Sequence, residues 1–460
     1  MRLSPDTLAE LSDSVSRPAY DRDQPIGIVH FGIGAFHRAH QAWYTDACLN
    51  GGETGWAIAG VSMRSATVAR QLAPQDGLYT LSERSASGEQ TRLIGAVRDV
   101  LVAGPDCAAI VARLASPDCH IATFTVTEKG YCRTPDGSLD TELARAGFYP
   151  LLSEALAERQ AKGLPGLTLL SCDNLSGNGR QLGRLMREWL AGHAPSLNEW
   201  FDANCTTPDS MVDRIVPATT ERDIATLADR IGLRDEGAIF TEPFSQWVIE
   251  DRFAGLRPRW EDHGAQIVPD VGPYETAKLR MLNGAHSFLA YAGLDAGYTF
   301  VHEAVADPGL RALTLALMQE EAAPTIAAGK DQDLAAYAAA LIERFDNPAL
   351  NHQLVQIAMD GSQKVPQRWL ETLAAQQEGG RQCPAILRGL GHWLRHVRGD
   401  LRQVDDPLAS KMQALWQQAG TPGIVMAMFG DGGLLESGWQ PAASDRELIE
   451  QAILSNGTCA

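Results

Sequence analysis

Three polar side chains with complementary chemistry occur close together in the sequence, at Lys278, Asn283 and His286. In an α-helix, about 100° per residue places them at roughly 0°, 140° and 80°, so one half of the helix carries all three. An amine, an amide and an imidazole on one surface can move a proton and hold an oxyanion without a metal ion. The alternative is a half-exposed helix with a solvated lysine, in which the other two residues cap neighbouring groups.

The stretch that carries these residues, Pro273 to Tyr291, has the pattern of a helix. Proline suits the first turn of a helix, and Glu275 follows where the helix dipole favours an anion. Apolar side chains supply packing contacts at Leu279, Leu282, Phe288 and Leu289. The sequence therefore predicts a helix that carries polar chemistry as well as core contacts.

A glycine turn near the start of the chain has the setting of a dinucleotide site. A short β-rich run ends in Gly32 and Gly34, residues 35–49 have a helical pattern, and a second apolar run spans residues 56–61. Strand, glycine turn, helix and strand in this order can place a pyrophosphate at a helix N-terminus. The third glycine of G-x-G-x-x-G is absent, because His37 occupies that position. Since glycine turns also end many other strands, the setting carries more weight than the glycines.

The end of the second strand carries no acidic residue. An Asp or Glu there usually binds the ribose of NAD, whereas this chain reads GVSMRS. Ser62, Arg64 and Ser65 can bind a ribose hydroxyl instead, and Arg64 can also meet the 2′-phosphate of NADP. The alternative for Arg64 is a solvated loop charge, so the choice between the two cofactors stays open.

Two further apolar runs end in polar turns. Residues 120–126 are followed by TEKGY, and residues 167–171 are followed by CDN, which contains Asn174. Open α/β sheets bind ligands at the carboxyl ends of such strands. Asn174 either stabilises its own turn or points its amide into the crevice of the sheet. Asp213 and Arg214, beside another strand-like run, can pair with each other.

Composition narrows the classes of partner. The chain has 460 residues and a formal charge of −18, which disfavours nucleic acid and anionic membrane surfaces. No apolar run approaches the roughly 18 residues of a membrane span, and MRLSPDTLAELSD lacks the apolar segment of a secretory signal. The eight cysteines include no C-x-x-C pair, which fits a reduced, cytoplasmic protein.

The second half of the chain has a different character from the first. From Pro273 onward, long stretches are rich in Ala, Leu, Gln, Glu and Arg at helical spacing, so a boundary near residue 270 is expected. In the first half, residues 78–82 and 91–97 flank a SASGEQ turn and predict a hairpin. His392 and His396 are spaced i, i+4, but no third ligand is evident, so we expect a core or surface pair and no metal site.

Seven motifs together resemble the polyol-specific long-chain dehydrogenase/reductase family, also called the mannitol dehydrogenase family. In chain order they read GIGAFHRAHQAWYTD, TVTEKGYC, SCDN, MVDRIVP, EPFSQWVIED, KLRMLNGAHS and MDGSQKVPQR. The resemblance implies an α/β fold, with an N-terminal Rossmann-type doubly wound sheet in residues 1–271 and a mostly α-helical domain in residues 272–460. It also implies NAD as the cofactor, with NADP as the alternative, and a reaction without a metal.

The same resemblance assigns roles to individual residues. The general base of the family corresponds to Lys278, and its substrate-orienting imidazole corresponds to His286. Its oxyanion-holding amides correspond to Asn174 and Asn283. The cofactor-binding positions are Gly32, Ile33, Gly34, Ala35, Phe36, Ser62, Arg64, Thr127 and Glu128. The substrate-binding positions are Lys129, Asp213, Gln356 and Lys364. Gln356 departs from the arginine that some polyol members carry there.

Two substrate classes within the family stay open. A uronate such as fructuronate adds a carboxylate that needs a cation, whereas a polyol such as mannitol needs only hydroxyl partners. Lys129 replaces a glycine that is usual in mannitol dehydrogenases and favours the uronate, although it can also contact a cofactor phosphate or be a solvated turn lysine. A nicotinamide-binding protein without turnover is the alternative from another class, and the intact Lys278 set argues against it. The expected partner is a small molecule, and the expected assembly is a monomer or small homo-oligomer.

Overall fold

The computed structural model describes residues 1–330 and 332–455. The chain divides into two compact units, Met1–Val271 and Gly272–Ala460. Of the eight cysteines, Cys459 lies outside the described residues, and the other seven are free thiols.

The N-terminal unit mixes strands and helices. Its strands are β1 Ile26–Phe31, β2 Ala57–Ser62, β3 Tyr79–Ser85, β4 Gly88–Ile94, β5 Val97–Val102, β6 Ile121–Phe124, β7 Thr168–Ser171, β8 Ser210–Asp213, β9 Ile239–Thr241, β10 Gln246–Glu250 and β11 Gln266–Val268. Its α-helices are α1 Ala35–Ala39, α2 Gln41–Asn50, α3 Thr67–Leu72, α4 Cys107–Leu114, α5 Thr127–Gly130, α6 Thr141–Ala144, α7 Tyr149–Ala161, α8 Asn178–His193, α9 Asn198–Asn204 and α10 Glu221–Ile231.

A five-stranded parallel sheet organises this unit. Its strand order is β5-β2-β1-β6-β7, and every neighbouring pair is parallel. The chain passes from β1 to β2 on one side and reaches β6 on the other, so the carboxyl ends of β1 and β6 form the switch point of the sheet. The predicted order of strand, glycine turn, helix and strand is present, but the single helix predicted over residues 35–49 is divided at His40 into α1 and α2. The predicted hairpin is also confirmed, because β3 and β4 pair antiparallel.

Both faces of the parallel sheet are covered, as expected for a doubly wound Rossmann-type fold. Val29 and Phe31 of β1 belong to a core cluster that includes residues of α4, α7 and α8. Ile28, between them in sequence, belongs to a second cluster with residues of α2. Since successive side chains of a strand point to opposite faces, the near-continuous apolar sequence of β1 reflects burial on both sides.

The C-terminal unit is mostly helical, as predicted. Its α-helices are α11 Gly272–Ala277, α12 Gly284–Asp295, α13 Val301–Ala306, α14 Pro308–Ala316, α15 Leu334–Phe345, α16 Leu354–Ile357, α17 Gly361–Val365, α18 Glu371–Glu378, α19 Pro384–Val397, α20 Ala409–Phe429 and α21 Ala443–Leu454. Three segments are π-helical: Lys278–Asn283, Leu317–Ala322 and Pro366–Leu370. No helix in the described chain combines the length and the apolar character needed to cross a membrane.

The core of the C-terminal unit surrounds α12. Every residue from Gly284 to Gly293 is buried, and the helix packs against α13, α16 and α19. The predicted helix from Pro273 to Tyr291 is therefore present, but the π-helical segment Lys278–Asn283 interrupts its α-helical pattern. This interruption corrects the assumption of a regular helix.

Two buried imidazoles pack together beside the glycine turn. His30 on β1 and His37 on α1 are fully buried, and their rings stack with centroids 3.4 Å apart. The two ring nitrogens of His30 lie 2.7 Å from the Thr123 hydroxyl and 2.9 Å from the Thr125 hydroxyl. Burial lowers the pKa of His30 to about 3, and burial together with His30 lowers the pKa of His37 well below its usual value. Stacked rings thus occupy the place where a third glycine would allow close packing of helix and strand.

We expect the protein to lose stability in mild acid because of this pair. The unfolded chain protonates histidine near pH 6.5, whereas the folded chain keeps His30 and His37 neutral. The stability is therefore full above about pH 6.5 and falls as the pH drops below it, by about 1.4 kcal/mol per pH unit for each histidine. In urea titrations, His37→Gln should reduce the difference in unfolding free energy between pH 7 and pH 5 by about 2 kcal/mol.

The control for this experiment is His193→Gln, which removes an exposed imidazole. This variant should leave the difference in unfolding free energy between pH 7 and pH 5 unchanged. A His37→Gln protein with the same acid dependence as the parent would contradict the assignment.

Candidate active site

A cavity of about 650 Å³ opens at the carboxyl ends of β1, β2 and β6. Seven residues predicted to bind cofactor or substrate line it, namely Gly32, Ile33, Gly34, Ser62, Arg64, Thr127 and Lys129. The prediction also included Ala35, Phe36 and Glu128, which do not line this cavity in the described chain. The cavity lies at the switch point of the sheet, where open α/β sheets bind their ligands.

Only glycine fits the first position of the turn after β1. Gly32 has a φ of +98°, and a Cβ there would lie 2.1 Å from the carbonyl oxygen of Thr125. The turn is tied to both neighbouring strands, because the Gly32 amide donates to the Val61 carbonyl at 2.8 Å and the Thr125 hydroxyl donates to the Gly32 carbonyl at 2.8 Å. A Cβ at Gly34 would meet its nearest atom only at 3.7 Å. The turn is therefore held rigidly at Gly32, whereas there is space for a side chain at Gly34.

The wall of the cavity at the end of β2 is polar but not acidic. The Ser62 hydroxyl donates to the Ser65 carbonyl at 2.6 Å, and Arg64 is exposed. Among the described residues that line the cavity, none is Asp or Glu. A ribose hydroxyl in this position would meet serine oxygens and a guanidinium group rather than a carboxylate.

The loop after β6 is held by an aspartate that sequence analysis did not single out. Asp173 accepts hydrogen bonds from the amides of Val126 at 2.9 Å and Thr127 at 2.8 Å, and from the Tyr131 hydroxyl at 2.9 Å. Thr127 has a φ of +64°, an unfavourable value for a β-branched residue, and these bonds stabilise it. Burial raises the pKa of Asp173. Its position next to Asn174 in the CDN turn was the available signal.

The turn that contains Asn174 is held by a neighbouring asparagine. Asn178 donates from Nδ2 to the Asp173 carbonyl at 3.0 Å and to the Ser210 carbonyl at 2.8 Å, and its Oδ1 accepts from the Ser210 amide at 2.9 Å. These bonds connect the turn to β8. Asn174 itself is exposed. The turn therefore does not depend on Asn174 alone, and a ligand-binding role for this amide stays a prediction.

The two charges of the MVDR motif have different surroundings. Asp213 ends β8 and is buried, and it is not part of the wall of the described cavity. Arg214 pairs with Glu83 at 2.6 Å and donates to the carbonyl of Ala39 at 2.6 Å and that of Glu242 at 2.9 Å. Glu83 therefore compensates the charge of the buried Arg214, and this compensation does not require an ion pair with Asp213.

In the C-terminal unit, the helix that carries Lys278 changes its hydrogen-bonding pattern. Within the π-helical segment Lys278–Asn283, the Gly284 amide donates to the Leu279 carbonyl, five residues back. An α-helix would separate Lys278 and Asn283 by about 140°, but the wider π turn brings the residue five positions ahead back towards the same face. Lys278 is 9% exposed, and Asn283 is half-buried. The amine and the amide thus lie closer around the helix than the sequence predicted.

His286 lies on the next turn, in α12, and is 9% exposed. Its ring packs against Phe345, with centroids 4.6 Å apart, and edge-on against His352 at 5.3 Å. Burial, and to a smaller extent His352, lowers the pKa of His286 well below its usual value, so the ring is neutral. Among the described residues, its buried Nε2 has no hydrogen-bond partner. A neutral imidazole with an unused nitrogen suits a ligand hydroxyl.

The two remaining substrate assignments differ in their surroundings. Lys364 donates to the Ile357 carbonyl at 3.3 Å and to the Met359 carbonyl at 2.5 Å. Burial, reinforced by Arg368, lowers the pKa of Lys364. Gln356 is exposed on α16. Backbone carbonyls therefore already engage the Lys364 ammonium, and substrate contact by either residue stays a prediction.

The His392 and His396 pair belongs to the core of the C-terminal unit, one of the two outcomes expected. Both are 4% exposed, and Nδ1 of His392 lies 2.9 Å from a carboxylate oxygen of Asp295. Within residues 1–330 and 332–455, no group of three or more His, Cys, Asp or Glu could hold a metal ion. The hydrogen bond to Asp295 accounts for His392, and the His396 ring packs against Tyr291 with centroids 5.4 Å apart.

The chain matches two family domains in succession. Residues 26–262 match the Mannitol dehydrogenase Rossmann domain, and residues 270–430 match the Mannitol dehydrogenase C-terminal domain. The first match contains the whole cavity described above, and the second contains the helix with Lys278, Asn283 and His286.

Several named proteins are similar over nearly the whole chain. An uncharacterized oxidoreductase of Escherichia coli (strain K12), YeiQ, is 42% identical over 88% of this chain and 87% of its own length. D-mannonate oxidoreductase of the same organism is 39% identical over 93% of each chain. The solved mannitol 2-dehydrogenase of Pseudomonas fluorescens, a ternary complex with NAD and D-mannitol, is 34% identical with a TM-score of 0.79, covering 98% of this chain and 96% of its own.

We expect Gly32→Ala to prevent dinucleotide binding at the cavity. The added Cβ would lie 2.1 Å from the Thr125 carbonyl, so the turn would have to move. Gly52→Ala is the matched control, because Gly52 has a φ of +97° and an added Cβ there would meet nothing within 4 Å. In fluorescence titrations with NADH, Gly32→Ala should raise Kd by about tenfold or more, and Gly52→Ala by less than about twofold. Equal affinities of the two variants would contradict this assignment of the cavity.

Proposed function

Because the chain belongs to the mannitol dehydrogenase family, we propose that it interconverts a secondary alcohol of a sugar acid with the corresponding ketone, using D-mannonate and D-fructuronate as the substrate pair. At the level of the family, the protein is an oxidoreductase that acts on CH–OH groups of polyols or sugar acids. The observation that carries the proposal is the π turn that brings Asn283 back towards the face of Lys278.

NAD is the proposed cofactor, and the cavity of the N-terminal unit fits it. Gly32 and Gly34 would let the backbone approach the pyrophosphate, and Ser62 and Arg64 would meet the ribose of the adenosine half. Arg64 makes NADP the alternative, because the same guanidinium group would suit a 2′-phosphate. When bound, this cofactor would supply the hydride acceptor for oxidation of the alcohol carbon and the hydride donor for reduction of the ketone.

Lys278 is the proposed general base and acid. In the oxidative direction it takes the hydroxyl proton of the substrate, and in the reductive direction it returns a proton to the carbonyl oxygen. Burial is the environment in which an ammonium group gives up its proton more readily, and Lys278 is buried. Because an amine performs the proton transfer, this mechanism requires no metal ion.

Amide and imidazole groups complete the proposed set. The amides of Asn283 and Asn174 donate hydrogen bonds to the oxyanion that develops on the substrate. His286 orients the substrate through Nε2, the buried nitrogen that has no partner among the described residues. A hydroxyl group of the substrate would satisfy that buried nitrogen.

Fructuronate is the proposed ketone because the cavity carries a lysine that suits its carboxylate and because the chain is similar to a D-mannonate oxidoreductase. Its carboxylate needs a cation, and Lys129 is exposed in the cavity of the N-terminal unit. The similar D-mannonate oxidoreductase acts, by its name, on the reduced form of this substrate. Asp213, Gln356 and Lys364 are proposed to contact substrate hydroxyls or the carboxylate.

Two other functions would be indicated by other results of the substrate test described below. Similarity to the mannitol 2-dehydrogenase solved with NAD and D-mannitol favours a polyol dehydrogenase as the second candidate. A nicotinamide-binding protein without turnover would have no use for a buried lysine beside an amide. A cytoplasmic location and a monomeric or small homo-oligomeric state are predictions from the sequence.

Replacing the proposed base should remove turnover but not binding. We expect Lys278→Ala to lower kcat by about 10²-fold or more, because proton transfer loses its carrier, while the Kd for NADH is unchanged. Lys411→Ala, which removes an exposed lysine of the same unit, is the control and should keep normal kcat. Near-normal turnover of Lys278→Ala would rule out the assigned role.

The substrate is tested with a panel of ketoses and ketouronates, by following NADH absorbance. We expect kcat/KM to be at least about tenfold higher for fructuronate than for fructose. A charge-assisted hydrogen bond contributes about 1.5–3 kcal/mol. Lys129→Gly should therefore lower kcat/KM for fructuronate by about 10- to 150-fold and change that for fructose little.

Each other outcome of the panel has a defined meaning. An equal loss on both substrates in Lys129→Gly would place this lysine at the cofactor phosphates. A parent enzyme that reduces fructose well and ignores fructuronate would move the assignment to mannitol 2-dehydrogenase. No turnover with any member of the panel, despite NADH binding, would favour the non-catalytic alternative.

A further inference from the structure

Two consecutive side chains donate hydrogen bonds to the end of the π turn. Nη1 of Arg368 donates to the Asn283 carbonyl at 3.2 Å and to the Ser287 hydroxyl at 2.8 Å. Nε1 of Trp369 donates to the Gly284 carbonyl at 3.2 Å. Both donors belong to the π-helical segment Pro366–Leu370, so one irregular segment supports another.

The supported carbonyls lie where the hydrogen-bonding pattern changes. Asn283 is the last residue of its π segment, and Gly284 is the first residue of α12. A π turn is rare because the regular α-helical pattern competes with it, so it needs support from outside the helix. Donors placed on these two carbonyls oppose a shift of the chain back to the α-helical pattern. Such a shift would turn the Asn283 amide away from Lys278.

Arg368 is well suited to this task because it remains charged. Burial lowers the pKa of Arg368 only to about 10, and Arg368 is half-buried in the structure. A charged donor makes a stronger hydrogen bond than a neutral one, and the guanidinium nitrogen reaches the carbonyl and the hydroxyl at once. Both of its acceptors are uncharged and belong to the helix that carries Asn283 and His286.

We propose that Arg368 is a positioning residue, which sets the direction of the Asn283 amide by holding the Asn283 carbonyl and the Ser287 hydroxyl at the end of the π turn. This inference rests on the proposed function, because it gives Arg368 a role through Asn283. Arg368 itself needs no contact with the substrate or the cofactor. The effect on turnover therefore depends on the presence of the amide that Arg368 directs.

The test is a double-mutant cycle of Arg368→Met and Asn283→Ala. Because displacement of a catalytic group by about 1 Å can cost up to about 10²-fold in rate, we expect Arg368→Met to lower kcat by about 10- to 50-fold. The Kd for NADH should not change. In the Asn283→Ala background, where the backbone carbonyl remains but the amide is gone, Arg368→Met should lower kcat by less than about threefold.

Arg402→Met provides the matched control. Nη2 of Arg402 donates to the Leu294 carbonyl at 2.8 Å, near the other end of the same helix α12. This variant loses a comparable guanidinium-to-carbonyl bond and also the 3.6 Å contact between Arg402 and the buried Asp295 carboxylate, so it should lower the Tm without lowering kcat. Arg368→Lys covers the case in which the methionine variant does not fold, because an ammonium can still donate to one acceptor. It should retain a kcat between those of the parent and Arg368→Met.

The outcomes separate this inference from the proposed function. If Asn283→Ala lowers kcat but Arg368→Met costs the same factor with and without the amide, the positioning role is overturned and the function stands. If Arg368→Met and Arg368→Lys both keep the kcat of the parent, the positioning role is overturned as well. If Asn283→Ala and Lys278→Ala both turn over normally, the proposed mechanism fails and the inference fails with it.

Discussion

The hydrogen bond from the Gly284 amide to the Leu279 carbonyl is the constraint that sets the path of the helix carrying Lys278, Asn283 and His286. It widens the helix between Lys278 and Asn283, the two residues proposed to act together, and π turns of this kind are frequent at functional sites. Beyond the turn, α12 is buried from Gly284 to Gly293, so packing on every side opposes its rotation. The wide turn therefore has to be stabilised by neighbouring side chains, and polar donors are found there in an otherwise apolar core.

In the N-terminal unit, a glycine and an aspartate stabilise the two loops that line the cavity. The conformation of Gly32 admits no side chain, and the turn is bonded to the strands on both sides. Thr127 lines the same cavity, and a hydrogen bond to Asp173 holds its backbone in an unfavourable conformation. Contacts within the protein therefore hold both loops that line the cavity. The buried and neutral His30 beside the glycine turn adds no charge to this region.

Local patterns were sufficient for much of this description. The strand and glycine turn at Gly32 and the hairpin formed by β3 and β4 follow from apolar runs bounded by turn residues. Residues at strand ends converge on one cavity because parallel strands present their carboxyl ends at the same edge of the sheet. The angular relation of Lys278 to Asn283 could not be found in this way, since an α-helical period was the only local information available.

The sequence by itself determined the α/β class, the helical second half and the family, because periodicity and ordered motifs are properties of nearby residues. Tertiary structure alone decided which groups hold the π turn and the loop after β6 in place. Arg368 lies 85 residues from Asn283, and Asp173 lies 46 residues from Thr127. Neither pairing has a local sequence signal, because each depends on the fold bringing distant segments within hydrogen-bond distance. The π turn and the strained Thr127 backbone persist because those distant partners stabilise conformations that the local sequence would not favour.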